Sequence, residues 1–503
     1  MVYLELILKR SAFVMEWTSL LSTDKLGEET AEPRDWTNYP INAFEKDYNK
    51  IVSSAAFRRL QDKTQVFPLD RSDFTRTRLT HSIEVSTIAR QLGIMISKNT
   101  TRYRQQEVFD FAENISSVLL CAGLLHDLGN PPFGHFGEAV IGEWFQNNLG
   151  KIFYRSNADM PANQRSTLRS MLSQQMIADL EHFEGNAQAL RILSKARHGS
   201  DINVSASVIS TLIKYPTDSL SFCRTAPDVA VHKPGYFLAE QEAYMQIADI
   251  VGTKKEDGSI CRHPLAFFLE AADDIAYATA DLEDAFKKRL FTLQEFIEYF
   301  KSKYNHERIG VREGPNHYSK EHYSDELIEK FGSYADIPED EKFHRWIHYT
   351  RRWLMHNATF RFSKEYESIM SGGFQDELFS NVNHTITMNA LKGAMGEFVY
   401  NSPGILRLEL SAQTIISFLL DKFVHAVLYF GYEDDTYKLT QADRKCLHLI
   451  SNNYKNDYAE EKRGHEDDEA YCLYLRLLMV TDYISGMTDT FARTLYRELS
   501  GIE

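Results

Sequence analysis

Four side chains that could bind a metal or transfer a proton lie within one short stretch of the sequence, CAGLLHDLGNPPFGHFGEAVIGE: His126, Asp127, His135 and Glu138. An imidazole next to a carboxylate suits a hard or borderline divalent cation. Two adjacent ligands do not hold a metal by themselves, so further ligands must come from elsewhere in the chain. An isolated His-Asp pair would also suit helix capping, because the helix dipole favours a cation at the C-terminus.

The residues around these side chains predict a helix-turn-helix corner. The apolar run 115–125 is typical of a buried helix, which would deliver the His-Asp pair at its C-terminal end. Gly129 and the two prolines that follow it stop this helix, and a second helix is predicted to begin near Phe133. His135 and Glu138 are three residues apart and therefore share the face of the second helix that looks back across the turn.

Two other apolar segments with helical periodicity could complete a metal site. One contains His81 within RTRLTHSIEVSTIAR, and the other contains Asp273 and Asp274 within FFLEAADDIAYATADLED. Asp273, Tyr277 and Asp281 recur at helical spacing and lie on one stripe. Asp274 projects about 100° away from that stripe. The stripe is therefore assigned to the site, with Asp273 as the predicted ligand and Asp274 as the alternative.

Basic side chains that could bind phosphate groups lie close to these segments. Arg78 is three residues before His81, so one phosphate oxygen could bridge the guanidinium and a metal bound to the imidazole. Glu84, three residues after His81, could orient the imidazole. Lys214 and Tyr215 precede a proline at a predicted helix end, where an ammonium group can reach a phosphate.

These segments together resemble the HD-domain superfamily of metal-dependent phosphohydrolases, and within it the bacterial deoxyguanosinetriphosphate triphosphohydrolases. The similar blocks extend from Phe57 to Asp489. They are FRRLQDKTQVFPLDRSDFTRTRLTHSIEV, HDLGNPPFGHFGEA, HFEGNAQALRIL, IKYP, LEAADDIAYATADLEDA and DYISGMTD. Between about residues 300 and 440 little resemblance is visible.

The resemblance implies a role for each residue that matches a family motif. The implied ligands of a divalent metal, Mn²⁺ or Mg²⁺, are His81, His126, Asp127 and Asp273. The implied catalytic residues are His135, Glu138 and Glu184. His135 is interpreted as the acid that protonates the leaving 5′-oxygen, Glu138 as its partner, and Glu184 as a neighbour of the attacking water. The implied substrate contacts are Gln65, Arg78, Asn186, Lys214, Tyr215, Tyr277 and Asp281.

The implied function is hydrolysis of dGTP, or of other dNTPs, to the deoxynucleoside and inorganic tripolyphosphate. Two alternatives stay open at this point. One is an HD sensor that responds to a nucleotide or to single-stranded DNA, and the other is an HD phosphodiesterase or nucleotidase, which would release a different phosphate product. The resemblance further implies a homo-oligomer, since related enzymes form homohexamers, and single-stranded DNA as an effector.

The predicted fold class is mostly α, with an HD-domain helical core elaborated by peripheral helices. Residues 1–44 are predicted to form an N-terminal arm, 45–300 the HD catalytic core, and 301–503 a helical region packed on the core. Residues 1–14 either belong to the arm or form an extension upstream of an initiator at Met15.

Composition excludes several classes of protein. The five cysteines are scattered without a CxxC motif, so neither a zinc knot nor a disulfide framework is predicted, and a reducing cytoplasm is the expected compartment. A formal charge of −15 argues against an indiscriminate nucleic-acid coat, so a triphosphate needs a local basic pocket. Continuous apolar runs such as 115–125 are too short to span a bilayer, and no membrane association is expected.

Overall fold

A computed structural model of the protein describes residues 13–27, 42–67, 74–103, 111–154, 166–195, 202–307, 321–334, 337–380, 385–400, 403–431 and 439–502. Within these ranges the chain forms 22 α-helices, which confirms the predicted mostly α fold class. Most of the predicted N-terminal arm, including residues 1–12, lies outside the described residues.

The helices of the first half are α1 (Trp17–Leu20), α2 (Ala43–Ser53), α3 (Ala55–Arg59), α4 (Arg78–Tyr103), α5 (Ala112–Leu125), α6 (Gly134–Asn148), α7 (Leu168–Met171), α8 (Gln174–Glu181), α9 (Gly185–Ser194), α10 (Ala206–Leu212), α11 (Gln241–Val251) and α12 (Pro264–Lys287). Those that follow are α13 (Leu293–Glu307), α14 (Glu321–Gly332), α15 (Glu339–Lys364), α16 (Tyr366–Met370), α17 (Thr385–Met395), α18 (Pro403–Val427), α19 (Gln441–Leu449), α20 (Asn452–Glu461), α21 (Glu469–Ser485) and α22 (Asp489–Ser500).

Short elements join some of these helices. Strands β1 (Phe153–Tyr154) and β2 (Ser166–Thr167) pair antiparallel, with Phe153 opposite Thr167. The 3₁₀ turns are Leu60–Asp62, Val229–Val231 and Leu238–Glu240, and a π-helical turn covers Gly396–Tyr400.

Helix α5 lies at the centre of the helices in the first half of the chain. Apolar or small residues occupy almost every position from Ile115 to Leu125, which suits a helix that is surrounded by other helices. Helices α2, α4, α10 and α12 pack against it. The residues at the C-terminal end of α5 are therefore delivered to the interior of the fold.

The predicted corner is present. Helix α5 ends at Leu125 with His126 as its C-cap, and α6 begins at Gly134. Phe133 precedes α6 with a φ of 65°, a left-handed conformation that bulky residues rarely adopt. Its backbone N–H donates to Oδ1 of Asp489 at 2.9 Å. A buried carboxylate at the start of α22 therefore holds the turn between the two helices.

The buried apolar side chains form two clusters. The first gathers side chains of α2, α4, α5, α12 and α15, and the second gathers those of α6, α18, α21 and α22. Residues beyond 300 contribute to both clusters. The division of the chain at residues 44 and 300 stays a prediction.

Among the described residues, one helical segment is long and apolar enough, by length and composition, to cross a membrane. It is Ile405–Val427 of α18, with a mean hydropathy of 1.2, and half of its most apolar stretch is buried inside the fold. Arg407, Glu409, Asp421 and Lys422 interrupt it, which explains why no continuous apolar run marks it in the sequence. Its packing against α6 and α21 is that of a core helix, and the expectation of no membrane association stays a prediction.

Gly129 lies where the corner meets α9 and has no room for a side chain. A Cβ atom there would overlap the carbonyl oxygen of Gly185 and the amide nitrogen of Ala189. We expect Gly129→Ala to lower the free energy of unfolding by about 1–3 kcal/mol, because the two elements must separate. Gly150→Ala is the matched control, since nothing described lies within 4 Å of a Cβ there. Equal effects of both variants in chemical denaturation would contradict the close contact.

Candidate active site

The predicted metal ligands lie together between three helices. His81 on α4, His126 at the end of α5 and Asp273 on α12 present ligand atoms that all lie within 4.8 Å of one another. The two Nε2 atoms are 3.3 and 3.5 Å from Oδ1 of Asp273. Oδ2 of Asp127 is 3.4 Å from Nε2 of His126. The fold thus brings the four side chains together from three distant parts of the sequence.

The chemistry of these atoms fits a divalent cation. Nδ1 of His126 donates to the carbonyl oxygen of Gly123 at 2.8 Å, which leaves the lone pair on Nε2. This Nε2 atom is buried and forms no hydrogen bond with any residue in the described ranges. A buried nitrogen without a partner is unfavourable, and a metal ion would satisfy it.

Asp273 and Asp274 face different surroundings, as the stripe argument predicts. Oδ2 of Asp273 is 2.9 Å from Nζ of Lys214 in the site, whereas Oδ1 of Asp274 is 2.8 Å from Nζ of Lys392 on α17. Burial acts to raise the pKa of Asp273, but Lys214 and the nearby imidazoles outweigh it, so this pKa lies well below its usual value. Asp273 is therefore an ionised carboxylate that faces the cluster.

Arg78 is buried beside the cluster, and its Nη1 lies 2.7 Å from Oδ2 of Asp127. Gly134 leaves space for this guanidinium, because a Cβ atom there would overlap it. The Nδ2 group of Asn130 donates to Oδ1 of Asp127. Burial acts to raise the pKa of Asp127, but Arg78 outweighs this effect and the pKa lies well below its usual value.

His135 and Glu138 form the predicted pair at the start of α6. Nδ1 of His135 is 2.8 Å from Oε2 of Glu138, and the histidine side chain is 75% exposed whereas Glu138 is buried. Oε1 of Glu138 accepts a hydrogen bond from the amide of Gly185 at 3.1 Å. The Glu138 carboxylate raises the pKa of His135. The pair therefore presents to the solvent side of the site an imidazole whose protonated form is favoured by its carboxylate partner.

Glu184 and Asn186 lie at the start of α9, as predicted, together with a residue that sequence reasoning missed. Oε1 of Glu184 accepts from Nδ2 of Asn186 at 2.8 Å and from Nζ of Lys233 at 3.1 Å. Burial raises the pKa of Glu184, and the Glu138 carboxylate raises it further. Lys233 comes from a segment with Pro and Gly but no recognisable motif, so no local signal pointed to it.

For the remaining predicted substrate-binding residues, the structure gives burial and position but no contact with the ligand cluster. Tyr215 and Tyr277 are half-buried, the latter on the same stripe of α12 as Asp273. Oε1 of Gln65 and Oδ2 of Asp281 are buried and have no hydrogen-bond partner in the part of the chain that the structure describes. Burial raises the pKa of Asp281 well above its usual value. Their roles toward substrate stay predictions.

Comparison with known proteins decides the family. The HD domain family matches residues 78–184. A protein of Listeria monocytogenes named deoxyguanosinetriphosphate triphosphohydrolase-like protein is 39% identical over 97% of this chain and 100% of its own length. The chain belongs to the deoxyguanosinetriphosphate triphosphohydrolase family of HD-domain proteins. The deoxyguanosinetriphosphate triphosphohydrolase of Serratia proteamaculans is 32% identical over 92% of this chain, and a Synechocystis member named as triphosphohydrolase-like is 31% identical over 97%.

Membership of this triphosphohydrolase family confirms the predicted resemblance and identifies the protein as a hydrolase. HD domains are metal-dependent in general, in agreement with the donor atoms described above. The similarity to relatives extends over almost the whole chain, and so reaches well beyond the motif blocks.

One predicted orienting contact, between Glu84 and His81, is wrong. Glu84 does not hold the ring of His81, because its carboxylate oxygens accept from Nε and Nη2 of Arg76 at 2.9 and 3.1 Å. Arg76 also pairs with Glu283 and Asp284 of α12. Helical spacing placed Glu84 on the right face, but the guanidinium of Arg76, which the preceding loop brings there, is a stronger partner for a carboxylate than an imidazole is.

The contrast between Asp273 and Asp274 gives a test of the candidate metal site. Asp273→Asn should lose most of its bound Mn²⁺, because a ligand oxygen of the cluster loses its charge. Asp274→Asn is the matched control and should retain the metal, because this side chain faces Lys392. Elemental analysis after equilibration with Mn²⁺ and gel filtration measures the bound metal of each variant. Equal metal content in the two variants would refute the assignment.

Proposed function

We propose that the protein hydrolyses a deoxynucleoside triphosphate, with dGTP preferred, to the deoxynucleoside and inorganic tripolyphosphate. The observation that carries this proposal is the convergence of Arg78 and Lys214 on two carboxylates at the edge of the ligand cluster. The preference for dGTP is taken from relatives whose names state that substrate.

The basic side chains around the site are paired with carboxylates. The pairs are Arg78–Asp127 at 2.7 Å, Lys214–Asp273 at 2.9 Å and Lys233–Glu184 at 3.1 Å. With a cation to share the charge of Asp127 and Asp273, Arg78 and Lys214 would be available to donate N–H groups to phosphate oxygens. Arg78 offers a planar fork and the lysines offer point charges, so together they match an extended triphosphate.

The residues proposed to hold the divalent cation, Mn²⁺ or Mg²⁺, are His81, His126, Asp127 and Asp273. When bound, the cation supplies Lewis-acid polarisation of the α-phosphate and lowers the pKa of a water molecule. The ionised state of both aspartates, which neighbouring cations maintain, suits them for this role.

Proton transfer is assigned to residues at the N-terminal ends of helices α6 and α9. As a water oxygen forms a bond to the α-phosphorus, the bond to the 5′-oxygen breaks, and His135 donates a proton to that oxygen. Glu138 orients the imidazole and favours its protonated form by raising its pKa. Glu184, held by Lys233, orients the attacking water and accepts the proton that this water loses. General acid catalysis of this kind contributes about 10²–10⁴-fold.

The direct test is to incubate the purified protein with each dNTP and NTP plus Mn²⁺ or Mg²⁺ and to identify the phosphate product. Tripolyphosphate from dGTP is expected. Pyrophosphate or orthophosphate would favour an HD phosphodiesterase or nucleotidase. Binding of nucleotide or single-stranded DNA with no release of phosphate from any nucleotide would favour an HD sensor and refute the proposal.

His135→Ala should keep the metal content and nucleotide affinity near those of the wild type, while kcat falls by about 10²–10⁴-fold. The reason is that the imidazole donates a proton but lies outside the ligand cluster. Steady-state hydrolysis assays measure kcat, metal analysis of the same sample measures the metal content, and equilibrium titration measures the nucleotide affinity. Loss of the metal would make His135 a ligand, and an unchanged kcat would place the acid elsewhere.

Glu138→Gln tests the role of Glu138 through the dependence of kcat on pH. Because the carboxylate raises the pKa of His135, its removal lowers that pKa, and the acid form is lost at lower pH. The fall of kcat on the alkaline side of its pH profile should therefore shift to lower pH, while the metal is retained. An unshifted pH profile would separate Glu138 from the acid.

The resemblance supplies three further proposals, which are a homo-oligomer such as a homohexamer, an effector role for single-stranded DNA, and a cytoplasmic location. Light scattering and hydrolysis assays with added single-stranded oligonucleotide test the first two.

A further inference from the structure

Asp489, the first residue of α22, is a buried carboxylate that accepts hydrogen bonds from two separate segments. Its Oδ1 accepts from the backbone N–H of Phe133 at 2.9 Å. Its Oδ2 accepts from the backbone N–H of Thr64 at 3.0 Å and from the Thr64 hydroxyl. Burial raises the pKa of Asp489, and the hydrogen bonds from Thr64 and Phe133 oppose this effect. One carboxylate thus joins two parts of the chain that lie far apart in sequence.

The segment that contains Thr64 is itself anchored. Thr64 pairs with Thr77 in an antiparallel bridge, and the amide of Arg78 donates to the carbonyl oxygen of Lys63 at 3.0 Å. These contacts hold the segment against the beginning of α4, the helix that carries two groups of the candidate site. One end of the hydrogen-bonded chain through Asp489 is therefore fixed beside that site.

The other end of this chain holds a backbone conformation that a bulky residue does not favour. Phe133 has a φ of 65° and a ψ of 16°, in the left-handed region, and Gly134 follows with a φ of 63°. A residue keeps such a conformation where the surrounding structure imposes it. The hydrogen bond to Asp489 fixes the amide of Phe133. Loss of this bond frees the backbone to relax, which turns the start of α6.

His135 depends on this turn, because it lies two residues beyond Phe133 in the first turn of α6. Its partner Glu138 lies on the same helix, so the two side chains move together with the start of that helix. The histidine side chain is 75% exposed, so packing does little to orient it. The pair is tied to the rest of the fold through the amide of Gly185, 3.1 Å from Oε1 of Glu138, and through the turn that Asp489 holds.

We infer that Asp489 is a positioning residue for the proposed general acid. By holding Phe133 in the left-handed conformation, it directs the imidazole of His135 at the leaving 5′-oxygen. The inference rests on the proposed function, in which His135 protonates that oxygen. Asp489 belongs to none of the proposed metal-binding, acid or phosphate-binding groups, and it acts through the backbone.

The expected effect of Asp489→Ala is a loss of kcat without a loss of binding. A displacement of about 1 Å in a catalytic group can lower a rate about 10²-fold, so kcat for dGTP should fall by about that factor. Metal content and nucleotide affinity should stay within about 3-fold of the wild type, because the ligands and the phosphate-binding side chains are retained.

The test compares dGTP with an analogue in which sulfur replaces the bridging 5′-oxygen. When water attacks the α-phosphorus of the analogue, the P–S bond breaks and a thiolate leaves without needing a proton. The alkoxide that leaves from dGTP is a much stronger base and needs the proton of His135. His135→Ala and Asp489→Ala should therefore lower kcat strongly for dGTP but by less than about 3-fold for the analogue. Release of tripolyphosphate in Mn²⁺ measures both rates.

Two variants of α22 serve as controls. Thr490→Val removes the hydrogen bond from the Thr490 hydroxyl to Oδ1 of Asp62 but leaves the neighbouring Asp489 in place. Tyr496→Ala removes the contact with the ring of Phe418, 5.1 Å away, about two helical turns beyond Asp489. Neither should distinguish between the two substrates. Equal losses of Asp489→Ala for both substrates would indicate a general loss of folded protein and overturn the inference, as would a selective loss in Tyr496→Ala.

Asp489→Asn covers the case in which the alanine variant does not fold. The amide keeps the volume but offers one oxygen to the donors of Phe133 and Thr64, so a smaller selective loss for dGTP is expected. Wild-type protein separates the two proposals: no tripolyphosphate from dGTP would refute the proposed function. An active wild type with an unselective loss in the Asp489 variants would overturn only the positioning role. An unselective loss in His135→Ala would overturn the acid assignment and the positioning role together.

Discussion

Ionised side chains buried between helices must be paired, and the architecture of the active site depends on that constraint. Arg78 pairs with Asp127, and Lys214 pairs with Asp273, across helices that are far apart in sequence. Removing one partner of a buried pair is strongly unfavourable, about 3–5 kcal/mol, because the other charge is left without compensation. The same pairs keep both aspartates ionised. Charge pairing thus positions the ligands and sets their protonation state together.

A second set of buried charges joins the C-terminal helices α21 and α22 to α9 and to the turn before α6. Asp482 on α21 accepts from Arg191 of α9, and Lys195 lies 2.6 Å from the same carboxylate. Burial acts to raise the pKa of Asp482, but Arg191 and Lys195 outweigh it and lower this pKa to about 2. Asp489 holds the turn before α6, and Lys63 joins that turn to the end of α21. These contacts explain why the block DYISGMTD belongs with motifs several hundred residues earlier.

Local sequence was sufficient for features that depend on nearest neighbours along the chain. The helix-turn-helix corner follows from an apolar run, a glycine and two prolines, because these residues control backbone hydrogen bonding and torsion angles locally. The separation of Asp273 from Asp274 follows from helical geometry alone. The pairing of His135 with Glu138 follows from a three-residue spacing on one helix. The family follows from motifs whose order and spacing leave few alternatives.

Tertiary structure decided which charges meet. Lys233 reaches Glu184 from a segment without a motif, and Arg76 takes Glu84 away from His81. Lys63 is buried with the carbonyl oxygens of Asn130 and Ser485 as its partners. Hydrogen bonds and ion pairs act over a few ångströms in space, whatever the separation in sequence. The sequence therefore determined the helices and the types of side chain on each face, and only the packing of those helices determined the partner of each charge.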